Sequence, residues 1–277
     1  MKELAVIAIH GMGDTDENFD RKLESELRDR IGDARWSKVV WEKVYYQGLL
    51  QTNQQRLMED TMMQGDVDWI KLRKFVLYGF SDAASMESRP GEPNSMYVRV
   101  QRIVVDSLNR ALAGLGDARK PVVIVAHSLG CQVISNYIWD AQHKVEAGVF
   151  REGADAPIST NTPEGKFLRL KTLFHLFTSG CNIPIFIAGL PQNKIKPITV
   201  SARGWNIEWQ NYYDPDDTLG WPLWPVNEAY KNAVKKDKAI NAGGLFESWN
   251  PLSHQHYWKD DDFLDPVEDA IRQIVPP

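Results

Sequence analysis

The chain has 277 residues, 43% hydrophobic and 25% charged, the profile of a globular protein with a sizeable core. Its formal net charge of −5, from 32 basic and 37 acidic residues, provides no basic stripe for a phosphate backbone, so nucleic acid is not an expected partner. No Pro/Gly/Ser-rich linker divides the sequence, and one domain spanning 1–277 is expected.

Residues 4–9, Leu-Ala-Val-Ile-Ala-Ile, follow a charge-balanced start as an unbroken apolar run. The run is too short for a signal-peptide core or a membrane span and reads as a first buried strand; no transmembrane segment and a cytoplasmic location are expected. The two cysteines, Cys131 and Cys181, fit no C-x-x-C or zinc spacing and read as buried packing residues. His10-Gly11-Met12-Gly13-Asp14 ends the first run. A dinucleotide fingerprint would need a small residue where Asp16 stands, and Asp14, Asp16 and Glu17 would crowd a pyrophosphate, so no nucleotide cofactor is expected. The competing reading is a loop whose glycines turn a backbone N–H toward a reacting carbonyl oxygen.

Phe19, Leu23, Leu27 and Ile31 recur at four-residue steps and predict a helix closing at Gly32. A second strand is expected over 39–46, where Val and Trp alternate with Lys and Glu. From residue 48 to 95 the pattern loosens, with helices expected over 54–63 and 69–80 and a polar turn over 87–94. Met58, Met62, Met63, Trp69, Phe75 and Tyr78 make this stretch core, or the wall or lid of an acyl pocket. Met96, Val100, Ile103, Val104, Leu108 and Leu112 then mark a long amphipathic helix ending near Gly114-Leu115-Gly116.

The next stretch organises the rest. Val122 to Val125 is a β-branched run without polar alternation, as a strand covered on both faces requires. It ends in Ala126-His127-Ser128-Leu129-Gly130, after which Leu129, Val133, Tyr137 and Ala141 carry helical spacing. Ser128 therefore sits on a tight strand-to-helix turn, its hydroxyl clear of the sheet and a helix N-terminus beneath it. The pattern differs from G-x-S-x-G only in Ala126.

At these residues the chain resembles the α/β-hydrolase superfamily, in particular its serine esterases and lipases. The resemblance implies an α/β fold with a mostly parallel central sheet and helices on both faces. It also makes Ser128 the nucleophile and gives the oxyanion hole to the N–H groups of Met12 and Leu129, with His10 orienting the loop.

Residues 142–165 are polar and rich in Gly, Pro, Ser and Thr, and read as a possible movable flap. A strand is expected over 171–178, with His175 a core residue within it, and a weaker extended piece over 195–200. A strand bearing Trp205, Ile207 and Trp209 runs into a turn with three carboxylates, Asp214, Asp216 and Asp217. Asp-Pro-Asp-Asp is ordinary turn chemistry, but the triad acid of this fold also belongs on a loop after a late strand. Residues 217–223, Asp-Thr-Leu-Gly-Trp-Pro-Leu, resemble the Asp-Pro-Val-Ala-Tyr-Arg-Leu segment of intracellular lipases with a DDHD domain, which favours Asp217 over Asp214. After strand or turn over 239–243 comes Asn250-Pro-Leu-Ser-His-Gln-His-Tyr-Trp258. The related His-x-x-Tyr-Trp pattern makes His254 the general base, with His256 the alternative. His254, His256 and the acids 260–262 could also suggest a metal, but three carboxylates before Phe263 suit the N-terminus of a closing helix through Ile274, so no metal is expected. The sequence thus predicts a cofactor-free serine hydrolase acting on a small acyl ester or lipid through Ser128, His254 and Asp217. Thioesterase or acyltransferase chemistry, or a catalytically silent binding scaffold, are the alternatives.

Overall fold

A computed structural model describes residues 1–13, 15–64, 77, 79, 81, 92, 94–143, 148–150, 158–202, 204–242 and 256–277. Its centre is a six-stranded sheet in the order β2-β1-β3-β4-β7-β8, every neighbouring pair parallel. The strands are β1 (Leu4–Ile9), β2 (Val39–Val44), β3 (Val122–His127), β4 (Leu173–Ser179), β7 (Glu208–Tyr213) and β8 (Val234–Ala239). β5 (Ser201–Ala202) and β6 (Trp205–Asn206) pair antiparallel as a separate ribbon. This is the mostly parallel α/β architecture that the resemblance implied.

Side-chain alternation divides the interior into two layers. On β1, Ala5, Ile7 and Ile9 join one apolar cluster and Leu4, Val6 and Ala8 the other; on β3, Val122, Ile124 and Ala126 face the first and Val123 and Val125 the second. The first layer is closed by the helices Met96–Leu115 and Leu129–His143, the second by Arg21–Ile31 and Asp261–Ile274. Strands apolar on both faces therefore follow from helices on both sides, and each aliphatic side chain buried there contributes about 1.5–3 kcal/mol.

The expected helix 19–31 runs over Arg21–Ile31 with Gly32 as its C-cap, and the helix from Met96 ends at Leu115, capped by Gly116. The closing helix is Asp261–Ile274, where the Asp260 side chain accepts from Asp262 N, as the acidic run suggested. The helix expected over 54–63 is longer, Gln47–Gln64. The helix expected over 69–80 and the turn over 87–94 lie almost wholly outside the described residues, as do 144–147 and 151–157 of the 142–165 segment. The described parts of that segment include the helix end at His143, a 3-10 turn Gly148–Phe150, and the start of a helix Pro163–Leu168.

Two corrections concern strands. Residues 195–200 form no strand; Ile198 is buried and Thr199 N donates to Gln142 Oε1, so the apolar pattern reflects anchoring of a loop. β8 was not expected as a strand before residue 239, because Val-Lys-Lys-Asp-Lys-Ala has almost no apolar content. It is an edge strand, where charge is tolerated and discourages further pairing. Among the described residues no helix is long and apolar enough to cross a membrane.

Candidate functional site

The site lies at the C-terminal edge of the sheet. β3 runs straight into the helix Leu129–His143, and the residue between them, Ser128, has φ 53°, outside the range that L-residues favour. Such strain at a buried serine is the mark of a nucleophile elbow. Ser128 N donates to Ser179 O at 2.9 Å and Cys131 N to Ser128 O at 2.9 Å, so the turn is fixed by β4 on one side and by the first helical turn on the other. The hydroxyl itself is buried and has no hydrogen-bond partner among the described residues. Leu129 opens the helix, and its N–H belongs to the first turn that an α-helix leaves without an internal acceptor.

The loop after β1 presses on this elbow. A Cβ placed on Gly11 would stand 2.6 Å from Ser128 Cβ and 3.2 Å from its Oγ, and one on Gly130 would stand 2.5 Å from His10 O. Both positions therefore exclude side chains, whereas Ala126 lies within the sheet and its methyl is absorbed into the core. His10 is buried and held at both nitrogens: Nε2 accepts from Tyr46 N at 3.1 Å, so Nδ1 carries the proton and donates to Gly11 O at 2.6 Å. The Tyr46 ring stacks on His10 at 4.0 Å between centroids, and its hydroxyl donates to His10 O at 2.9 Å. Burial drives the His10 pKa down to about 3, against the opposing hydrogen bond to Gly11 O, so the ring is neutral at ordinary pH. Met12, half-buried beyond Gly11, packs its thioether against Gly79.

The carboxylates of the turn after β7 have different partners. Asp214 Oδ1 accepts from Asp216 N at 2.8 Å and Oδ2 from Ala242 N at 2.7 Å, which ties the β7 and β8 exits together. Asp217 Oδ1 accepts from Leu219 N at 2.9 Å, and its Oδ2 accepts from the Tyr257 hydroxyl at 2.8 Å. The same Tyr257 oxygen accepts from Asp214 N at 2.8 Å. Burial, together with the Asp217 charge, raises the Tyr257 pKa far above its ordinary value, so the phenol remains a donor. Asp216 is exposed and outside this arrangement.

Tyr257 connects the acid turn to the elbow. Its ring lies 5.6 Å from that of His127, and Trp258 lies 5.8 Å from the same imidazole. Trp258 Nε1 donates to Ser179 Oγ at 3.1 Å, and His127 Nδ1 donates to Ser179 O at 3.1 Å. Ser128, Leu129 and Gly11 are thus brought together, Met12 follows Gly11 on the loop, and Asp217 is linked to the neighbouring His127 through Tyr257. His254 lies outside the described residues; His256 precedes the Tyr257–Lys259 turn and is half-buried. His175 is buried within β4, its ring stacked 5.6 Å from Phe177 in the helical layer away from the elbow.

Sequence reasoning cited Tyr257 only as part of a motif, without its link to Asp217; the signal was the tyrosine three residues after His254. Asp237 was missed altogether. Its Oδ2 accepts from Leu223 N at 2.8 Å and Trp224 N at 2.7 Å, bracing the segment beyond Asp217. Among the described residues no three or more His, Cys, Asp or Glu side chains converge as metal ligands. Cys131 and Cys181 are buried free thiols.

Residues 98–172 match a family described as serine hydrolase, a stretch holding the helix before β3, the elbow strand, Ser128 and the helix after it. No curated protein matches the chain.

Proposed function

We propose that the chain is a serine hydrolase of the α/β-hydrolase type that cleaves carboxylic esters, in the manner of esterases and lipases, through a Ser128-His254-Asp217 triad and an acyl-enzyme, a reading that the match over residues 98–172 supports. The reading is carried by Ser128: a buried hydroxyl without a partner among the described residues, on a strained turn with φ 53°, at a helix N-terminus. Ser128 Oγ attacks the acyl carbon while His254 takes its proton. The tetrahedral oxyanion is held by the N–H groups of Met12 and Leu129, each such donor being worth about 3 kcal/mol. The intermediate collapses as His254 returns the proton to the departing alkoxide, releasing the alcohol. Water, deprotonated by the same imidazole, then attacks the acyl-serine; the acid is released and Ser128 regains its proton.

Asp217 holds the His254 tautomer and stabilises its cationic form in this scheme. Its support is the Tyr257 hydrogen bond, which fixes one carboxylate oxygen on the side of the turn nearest the His127-Ser128 elbow. Asp214, by contrast, has each oxygen committed to a backbone N–H that shapes the turn. His10 acts through the oxyanion loop and not on the substrate, its two nitrogens being occupied by Tyr46 N and Gly11 O. Abundant Trp, Phe and Met suit an apolar acyl group.

The deciding experiment is labelling of the protein with a fluorophosphonate, located by mass spectrometry. An adduct on Ser128, absent from Ser128→Ala and His254→Ala, is expected, with turnover of a panel of p-nitrophenyl esters. No adduct on an intact fold, or an adduct that persists in His254→Ala at the parent's rate, refutes the triad and favours the silent scaffold.

A further inference from the structure

Large apolar side chains left in water are few here, and they are not scattered. Among the described residues those most exposed are Met1 98%, Leu57 52%, Ile185 45%, Leu190 48%, Trp221 45% and Trp224 41%. The last four come from just two segments, one leaving β4 and the other following the Asp217 turn. These segments are stitched side by side: Trp221 N donates to Cys181 O at 2.9 Å, and Asn227 Nδ2 donates to Ile195 O at 3.1 Å. The second segment starts at the Asp217 turn, where Gly220 N donates to Asp217 O at 3.1 Å, and runs back along β8, with Trp224 N donating to Asp237 Oδ2 at 2.7 Å and Trp224 Nε1 to Val234 O at 2.8 Å.

The local charge is opposite to that of the whole. Across 181–196 and 221–231 the charged residues are Lys194, Lys196, Lys231 and Glu228, a positive balance in a chain of net −5. All three lysines are exposed, and none forms an ion pair among the described residues. Residues 183–191 carry no charge and hold only a short helix, Ile183–Ile187, whose Phe186 and Ile187 pack partly on the core while Ile185 faces water. Exposed aliphatics and tryptophans in segments that also carry exposed lysines are the composition that suits a lipid–water boundary: indole rings settle at headgroup depth, and ammonium groups meet the phosphates.

We infer that this face, built from 183–196 and 221–231, docks the protein on anionic lipid surfaces. The positive balance selects lipid as the occupant, because a second copy of this chain would bring identical lysines against it. Docking rests on the exposed face alone; the delivery of a membrane-borne ester to Ser128 rests on the hydrolase reading above.

The test is flotation of the Ser128→Ala protein, which cannot consume the lipid, with phosphatidylcholine vesicles and with vesicles containing phosphatidylserine. Binding to the anionic vesicles, weakened by salt, is expected. Leu190→Ser with Trp221→Ser, and separately Lys194→Glu with Lys196→Glu, should each lower the partition about tenfold or more while keeping the parent's thermal midpoint. No flotation with anionic vesicles, or flotation that survives both double variants, overturns the inference. So does a dimer at sedimentation equilibrium that both double variants break. Fluorophosphonate labelling of the unmodified protein separates the two readings: an intact Ser128 adduct without flotation sinks docking alone, and flotation without an adduct sinks the hydrolase reading alone.

Discussion

At the scale of single residues, close approach governs the site. Gly11 has no room for a methyl against Ser128, so Gly11→Ala must move either the loop or the Ser128 turn. A displacement of about 1 Å at a reacting group costs on the order of a hundredfold. The fluorophosphonate labelling rate of Gly11→Ala should therefore fall by about that factor, whereas Gly189→Ala, with nothing within 4 Å of the added carbon, should label like the parent. Tyr257→Phe probes the acid. It removes the donor to Asp217 Oδ2 and the acceptor of Asp214 N, both at 2.8 Å, while leaving the ring against His127. Hydrogen bonds to charged groups are worth about 1.5–3 kcal/mol, so kcat/KM should drop about ten- to hundredfold, chiefly in kcat. Steady-state kinetics with unchanged kcat would remove Tyr257 from the site.

At the scale of elements, the edge strand β8 does more than close the sheet. Its Asp237 spans two structures, with Oδ1 accepting from Asn211 Nδ2 at 2.8 Å on β7 and Oδ2 holding Leu223 N and Trp224 N beyond the acid turn. Removing a carboxylate that satisfies buried donors costs about 1–3 kcal/mol. Asp237→Ala should lower the thermal midpoint by several degrees, and scanning calorimetry will show it. The charges that hide β8 from pattern reading thus have partners: Asp237 in these bonds, Lys235 in Glu208 and Lys238 in Asp262. By contrast, the helix Met96–Leu115 announces itself: Ser95 accepts from Val98 N, the buried face repeats at helical spacing, and Gly116 ends it.

At the scale of the whole molecule, the buried His10 of the loop after β1 makes stability depend on pH. In the unfolded chain an imidazole takes its proton near pH 6.5, but in the fold His10 does so only at about 3. Between these values the unfolded state binds more protons. The stability this residue contributes is complete above pH 6.5 and drains at about 1.4 kcal/mol per unit as pH falls toward 3. From pH 7.5 to 5.0 the loss from His10 is about 2 kcal/mol. In urea unfolding at these two values His175, shifted in the same direction by burial, adds to the His10 decline, and Asp140, whose carboxyl burial pushes up, opposes it. In His10→Gln the decline should shrink by about the His10 share, and an unchanged decline would mean that His10 is not the titrating group.

The sequence by itself determined what depends on neighbours along the chain. Strand β1, the β3–Ser128–helix turn, the caps at Gly32 and Gly116 and the acidic start of the last helix are local: apolar period, backbone preference and helix-end chemistry decide them. The central parallel sheet followed from strands apolar on both faces. Only the tertiary structure decided what depends on neighbours in space. It paired six strands in the order β2-β1-β3-β4-β7-β8 and admitted the charged β8 as an edge. It also turned residues 195–200 into an anchored loop, locked the His10 tautomer between Tyr46 and Gly11, and divided Asp214 from Asp217 by their partners. Those outcomes depend on hydrogen-bond distances between residues tens to hundreds of positions apart, and no periodicity in the chain encodes them.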